Sequence, residues 1–100
     1  MVHIVWEFLV RPEQSLAFEA YYSSAGHWAK LFRRSPAYVV TTFAHDIENP
    51  TRYLVTDVWT TLDDFRDFKQ HHLAEYEQLD KTCAAFTAEE KYWGAFQVPD

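Results

Sequence analysis

His71, His72, Tyr76, Asp57 and Glu7 are the side chains whose types and placement could move protons. Asp57 falls in the run Arg52-Tyr-Leu-Val-Thr-Asp-Val-Trp59, where strand alternation puts it on one face with Tyr53, Val55 and Trp59. Glu7 falls between Val5 and Leu9 in His3-Ile-Val-Trp-Glu-Phe-Leu-Val10. A carboxylate among apolar strand residues is costly unless it is paired, hydrogen-bonded or protonated. Two readings follow. Either these are acid/base groups with raised pKa in an apolar cleft, or they are bonded to Arg or Lys across a subunit interface.

The histidines pose a similar choice. Adjacent residues on a helix point about 100° apart, so only one of the pair can join an apolar face. Counting from Phe65 and Phe68, that residue is His72, with Tyr76 and Leu79 following and His71 at the edge. An imidazole there either accepts a phenolic or enolic proton, or is a core histidine bonded to a backbone carbonyl. Two neighbouring ligands do not converge on one ion, so no metal site is expected. Cys83 lies on the same apolar stripe and reads as an inert core thiol. Gly26 and Gly94 are the only glycines, and no glycine-rich loop exists to cradle a nucleotide phosphate. No cofactor is expected.

The elements that must position these residues follow from pattern. Residues 3–10 are apolar on nearly both faces, as in a central strand covered on two sides. Pro12 and Glu13 open a helix that runs to Phe32, with Gly26 its weak point. Strands follow at 38–47 and 52–59, joined by the turn Glu48-Asn49-Pro50-Thr51. Thr61 caps a second helix whose stripe is Leu62, Phe65, Phe68, Leu73, Tyr76, Leu79, Cys83 and Phe86. Residues 91–98 form a last strand.

This order, βαββαβ, predicts an α+β fold of ferredoxin-like type over residues 1–100. Four antiparallel strands then carry both helices on one face. The other face is left bare although the first strand is apolar on both sides. Self-association through the open sheet face, as a homodimer, resolves this.

Composition points the same way. The chain of 100 residues is 48% hydrophobic and holds 4 Trp, 6 Tyr and 8 Phe. A domain of this size buries roughly 65% of its unfolded surface, too little to hide so many rings. Trp59, with Trp6, Trp28, Tyr22, Tyr76 and Phe68, could line a flat pocket for a small aromatic ligand; a ring stripe at helical spacing could equally be plain core. The formal charge of −6 and the scattered basic residues argue against nucleic acid and against an anionic membrane surface. Glu7 interrupts the first apolar run, so neither a signal peptide nor a spanning helix is expected, and the location expected is cytoplasmic.

Several segments in order resemble the antibiotic biosynthesis monooxygenase (ABM) family of the dimeric α+β barrel superfamily. They are Arg11-Pro12-Glu13, Gly26-His27-Trp28, Pro36-Ala37-Tyr38, Asn49-Pro50-Thr51-Arg52-Tyr53-Leu54 and Asp57-Val58-Trp59-Thr60-Thr61-Leu62-Asp63-Asp64-Phe65. The resemblance implies a homodimer with facing sheets and a ligand cleft between sheet and helices in each protomer, with Trp59 at its mouth. It also implies two functions: a cofactor-independent monooxygenase acting on a small aromatic or quinol-like compound, or a non-catalytic dimeric binding or accessory protein. For the first, His72 is the expected base, Tyr76 or Asp57 its hydrogen-bonding partner, and Trp6, Glu7, Tyr22, Phe68, His71 and Trp59 the surroundings of the ligand. The family's haem-degrading branch uses an Asn on the first strand and a Trp and a His on the second helix. Here the only asparagine is Asn49 in a turn, and the helix positions hold Phe68 and Gln78. Haem degradation is therefore disfavoured.

Overall fold

The computed structural model describes residues 1–99. Its strands are β1 (Val2–Val10), β2 (Tyr38–His45), β3 (Arg52–Trp59) and β4 (Thr87–Gln97), in the sheet order β2-β3-β1-β4 with every pair antiparallel. The apolar strands β1 and β3 take the centre. The more polar β2 and β4 take the edges, where unpaired backbone faces water. A 3₁₀ turn (Pro12–Gln14) leads into α1 (Ser15–Tyr22) and α2 (His27–Phe32), which connect β1 to β2. Then α3 (Leu62–His71) and α4 (Leu73–Cys83) connect β3 to β4. All four helices pack on one sheet face, as the βαββαβ order requires.

Each long predicted helix is broken in two, for different reasons. The first breaks at residues 23–26, where the chain doubles back against the end of α1. A Cβ on Gly26 would lie 2.7 Å from the Tyr21 carbonyl oxygen and 2.8 Å from that of Ala20. Only glycine permits that approach, so the weak point is a packed corner. The second breaks at His72, whose φ of −120° and ψ of 30° leave the helical region. The amide of His72 still donates to Phe68 and its carbonyl still accepts from Tyr76, so the axis bends and the apolar stripe resumes at Tyr76.

The N-terminus of α3 behaves as its sequence dictates. Thr61 Oγ1 accepts from the Asp64 amide at 3.0 Å, and Asp63 and Asp64 sit at the positive end of the helix dipole. The β2–β3 turn is built by its own side chains. Asp46 accepts from the Glu48 amide, and Asn49 accepts from both the amide and the hydroxyl of Thr51.

The last strand starts at Thr87, four residues earlier than its apolar content indicates. Pairing with the far end of β1, from Val10 opposite Thr87, supplies the reason. The register slips between Val5 and Trp6, leaving Trp93 as the extra residue of a bulge, and Gly94 takes a φ of 137° there.

The core lies between sheet and helices. It joins Val2, Ile4, Phe8, Val10, Tyr53, Val55 and Trp59 to Phe18, Tyr22, Trp28, Leu31, Phe32, Phe68, Cys83 and Phe86. The opposite sheet face stays open and exposes several large apolar side chains. Trp93 and Phe96 are each 49% exposed there, with Val40 at 43% and Leu54 at 42%. Among the described residues, no helix is long and apolar enough to cross a membrane.

Candidate functional site

A cleft opens between the helix-facing side of the sheet and the helices, enclosing about 50 Å³. Trp6 and Phe8 come from β1, Thr41 from β2, and Val55 and Asp57 from β3. Tyr22, Trp28 and Phe32 supply the α1–α2 wall; Tyr76 and Asp80 of α4 and Glu90 of β4 close the other side. The walls are aromatic because ring packs on ring. Tyr22 stacks on Phe18 at 4.4 Å and tilts against Phe8 at 4.8 Å, while Tyr76 meets the edge of Trp28 at 4.8 Å. Lys69 Nζ sits 4.6 Å over the Tyr76 ring.

Asp57 is the chemically unusual member. It faces Ile4 across β1, and burial pushes its carboxyl up to about 6 against the opposing pull of a hydrogen bond from Thr41. That bond, Thr41 Oγ1 to Asp57 Oδ1, is 2.6 Å long. Its other carboxylate oxygen makes no hydrogen bond among the described residues. Burial also raises Tyr76, and the nearby charges of Asp80, Asp57 and Glu90 raise it further. Asp80 and Glu90 are themselves held above the ordinary carboxylate range, chiefly by desolvation. The described lining residues include three carboxylates and no basic side chain, so the site is electronegative.

Of the residues singled out by sequence, Asp57, Tyr76, Trp6, Tyr22 and Trp28 meet in this cleft. Trp59 and Phe68 lie behind its wall. Trp59, expected at the mouth, is fully buried among Phe32, Tyr38, Phe65 and Phe68. Phe68 is likewise core. The histidines sit on the far side of that layer, in a groove with Arg34, Ser35 and Asp67. The His72 ring packs on Phe68 at 4.4 Å, and its Nδ1 lies 3.6 Å from Glu75. The helical bend at His72 turns it away from the cleft that the stripe count gave it. The His71 ring bonds the Asp67 carbonyl.

Glu7 projects from the opposite sheet face. Arg52 grips it with two bonds of 2.9 and 3.1 Å, and Trp93 Nε1 donates a third at 3.0 Å. Arg52 also holds Asp46 at 3.0 Å. These bonds, the one from Arg52 foremost, keep the Glu7 carboxyl below its usual range. The partner anticipated across an interface is thus within the same chain.

Sequence reasoning missed Thr41, Tyr38, Asp80 and Glu90. Thr41 was within reach, because a hairpin turning at 46–51 sets residue 41 opposite residue 57. Asp80 and Glu90 come from elements separately tied to the sheet, and no spacing rule joins them. Among the described residues, no three His, Cys, Asp or Glu side chains converge as a metal-binding group. Burial raises the Cys83 thiol, in keeping with an unreactive core position.

Comparison with known proteins places this geometry. The chain is similar in fold to a Deinococcus radiodurans protein assigned provisionally to the antibiotic biosynthesis monooxygenases. That match has 16% identity and a TM-score of 0.80, over 100% of this chain and 94% of that one. It is also similar to SnoaB, a cofactor-independent oxygenase from Streptomyces nogalater. There the identity is 24% and the TM-score 0.71, over 99% of this chain and 93% of that one. A Methanosarcina mazei conserved protein matches at 11% identity and a TM-score of 0.73, over 98% and 92% of the two chains. No curated protein matches the sequence at a significant level. The family described as antibiotic biosynthesis monooxygenase matches residues 1–78. With most of its length matched, and with the sheet, crossovers and cleft in place, the chain belongs to the antibiotic biosynthesis monooxygenase family.

Proposed function

We propose that the protein is a cofactor-independent monooxygenase, acting on a small aromatic or quinol-like compound held in the cleft. The observation that carries this reading is Asp57, whose carboxyl combines a pKa of about 6 with an oxygen left unbonded among aromatic walls. A carboxylate tuned toward neutrality accepts a proton at physiological pH and can return it. SnoaB, similar in fold, is named a cofactor-independent oxygenase.

The chemistry balances without further reagents. Asp57 takes the phenolic proton, and the substrate anion passes an electron to dioxygen. The resulting pair joins as a peroxide on a ring carbon, which Asp57 protonates. Cleavage of the O–O bond with loss of the ring proton leaves a quinone and one water. Tyr76 donates a hydrogen bond to the substrate oxygen, staying protonated because its own pKa is raised. Asp80 and Glu90 repel anions, so the reading favours an uncharged phenol over a carboxylated one. An aromatic ligand needs more room than the enclosed 50 Å³. The reading therefore requires the cleft walls to part as the ligand binds. The test is oxygen consumption with a panel of phenols and quinols. Consumption matched by quinone formation supports the reading; a bound ligand that no oxygen converts supports a binding protein instead.

The whole chain acts as one domain, pairing in the cytoplasm as a homodimer through the open sheet face. The exposed Val40, Leu54, Trp93 and Phe96 support this, being an apolar patch of the kind monomers seldom leave bare. Sedimentation at micromolar concentration is expected to show about twice the mass of the 11.9 kDa chain. A monomer under those conditions contradicts the pairing.

A further inference from the structure

Thr41 is only 3% exposed and stands opposite Asp57 in the β2–β3 register. Its hydroxyl proton is committed to Asp57 Oδ1 at 2.6 Å, so its oxygen can only accept from the Tyr38 hydroxyl 2.7 Å away. While Asp57 is ionised the order of donation is fixed: Tyr38 to Thr41, Thr41 to Asp57. Among the described residues, no other side chain donates to Asp57 Oδ1. Ile4 faces it from β1; Tyr22 and Phe32 face the cleft from α1 and α2, Tyr76 and Asp80 from α4, and Glu90 from β4. Arg33 acts on this pair of hydroxyls from the Tyr38 end, where its charge favours the ionised phenol.

We infer that Thr41 and Tyr38 are positioning residues for Asp57. Their inward-donating hydroxyls lock Oδ1 and leave the other oxygen to meet a substrate in the cleft. This assignment rests on Asp57 being the proton acceptor of the proposed reaction. A hydroxyl pair kept only to satisfy β2 would donate to backbone carbonyls. Here both protons run toward one carboxylate, and each bond strengthens the next through polarisation.

The experiment follows the Asp57 carboxyl by carbon NMR, with ¹³C-labelled aspartate and no substrate, as pH is varied. Thr41→Val keeps the shape and removes the donor, and is expected to raise the Asp57 midpoint by about one pH unit. Thr41→Ser restores the hydroxyl and is expected to return the midpoint to that of the wild type. Tyr38→Phe gives a smaller rise in the same direction. Where Thr41→Val does not fold, by near-ultraviolet circular dichroism, Tyr38→Phe and Thr41→Ser decide the matter. An Asp57 midpoint unmoved by removal of either hydroxyl overturns the assignment. Should the midpoints move as stated while the wild type consumes no oxygen with any phenol, the hydrogen-bonded hold on Asp57 stands, and the oxygenase reading falls with the catalytic use made of it.

Discussion

Asp57→Asn will make the protein more stable above pH 7, raising its thermal midpoint by roughly 12–24 °C. In the folded chain the carboxyl titrates near 6, against an ordinary value of 3.8, because burial penalises its charge. A shift of roughly two units corresponds to about 3 kcal/mol of stability. The sign is fixed by proton uptake. Between about pH 4 and 6 the folded state binds the proton more tightly than the unfolded state, so this group's contribution declines as pH rises through that window. Above it the native protein carries a buried charge that asparagine does not. Other carboxylates act oppositely: Glu7, Asp46 and Asp64 are held low by their partners, and their contribution is lost on acidification. The difference between variant and wild type isolates Asp57. Thermal unfolding from pH 4 to 8 is expected to show the two curves converging at low pH and separating at high pH. A variant less stable than wild type at pH 8 would show that Asp57 is a satisfied structural group.

Trp59→Ala is the other large effect, with the opposite sign. Trp59 is fully buried, and four aromatic partners meet its ring at centroid distances between 5.3 and 5.5 Å. Truncating such a side chain costs about 3–5 kcal/mol, a large share of the roughly 5–15 kcal/mol that holds a domain together. Its indole Nε1 has no hydrogen-bond partner. Trp59→Phe therefore removes an unsatisfied donor along with some volume, and should cost only about 1–2 kcal/mol. Urea denaturation separates the two substitutions. If Trp59→Ala unfolds at wild-type urea concentrations yet loses ligand binding, Trp59 is a wall of the site after all.

The contrast between Asp57 and His72 shows how far sequence carried. Period-two alternation alone put Asp57 beside Tyr53, Val55 and Trp59, and the sheet keeps that face. Strands have one period and little freedom to depart from it. Of the stripe from Leu62 to Phe86, every member but Leu73 packs in or against the core, but counting assumes an unbroken helix. The backbone bend at His72 swings the ring outward while leaving Tyr76 aimed inward. Gly26 gave a sequence signal for its break, and His72 gave none. Glu7 was legible as anomalous but not in its remedy, since Arg52 reaches it only because β1 and β3 are neighbours. Trp93 joins it only through a bulge that no pattern announces. The divided roles of the aromatic residues follow from the same geometry. Trp59 and Phe68 close the core, Trp6, Tyr22 and Tyr76 line the cleft, and Trp93 and Phe96 mark the open face.

The most direct test of the cleft as the reacting centre is oxygen uptake with an uncharged quinol, comparing wild type, Asp57→Asn and His72→Ala. Loss of a general base lowers turnover by about 10²–10⁴-fold, and that loss is expected for Asp57→Asn alone. His72→Ala, altered outside the cleft, is expected to match wild type. The reverse pattern, uptake intact without Asp57 and lost without His72, would contradict the account.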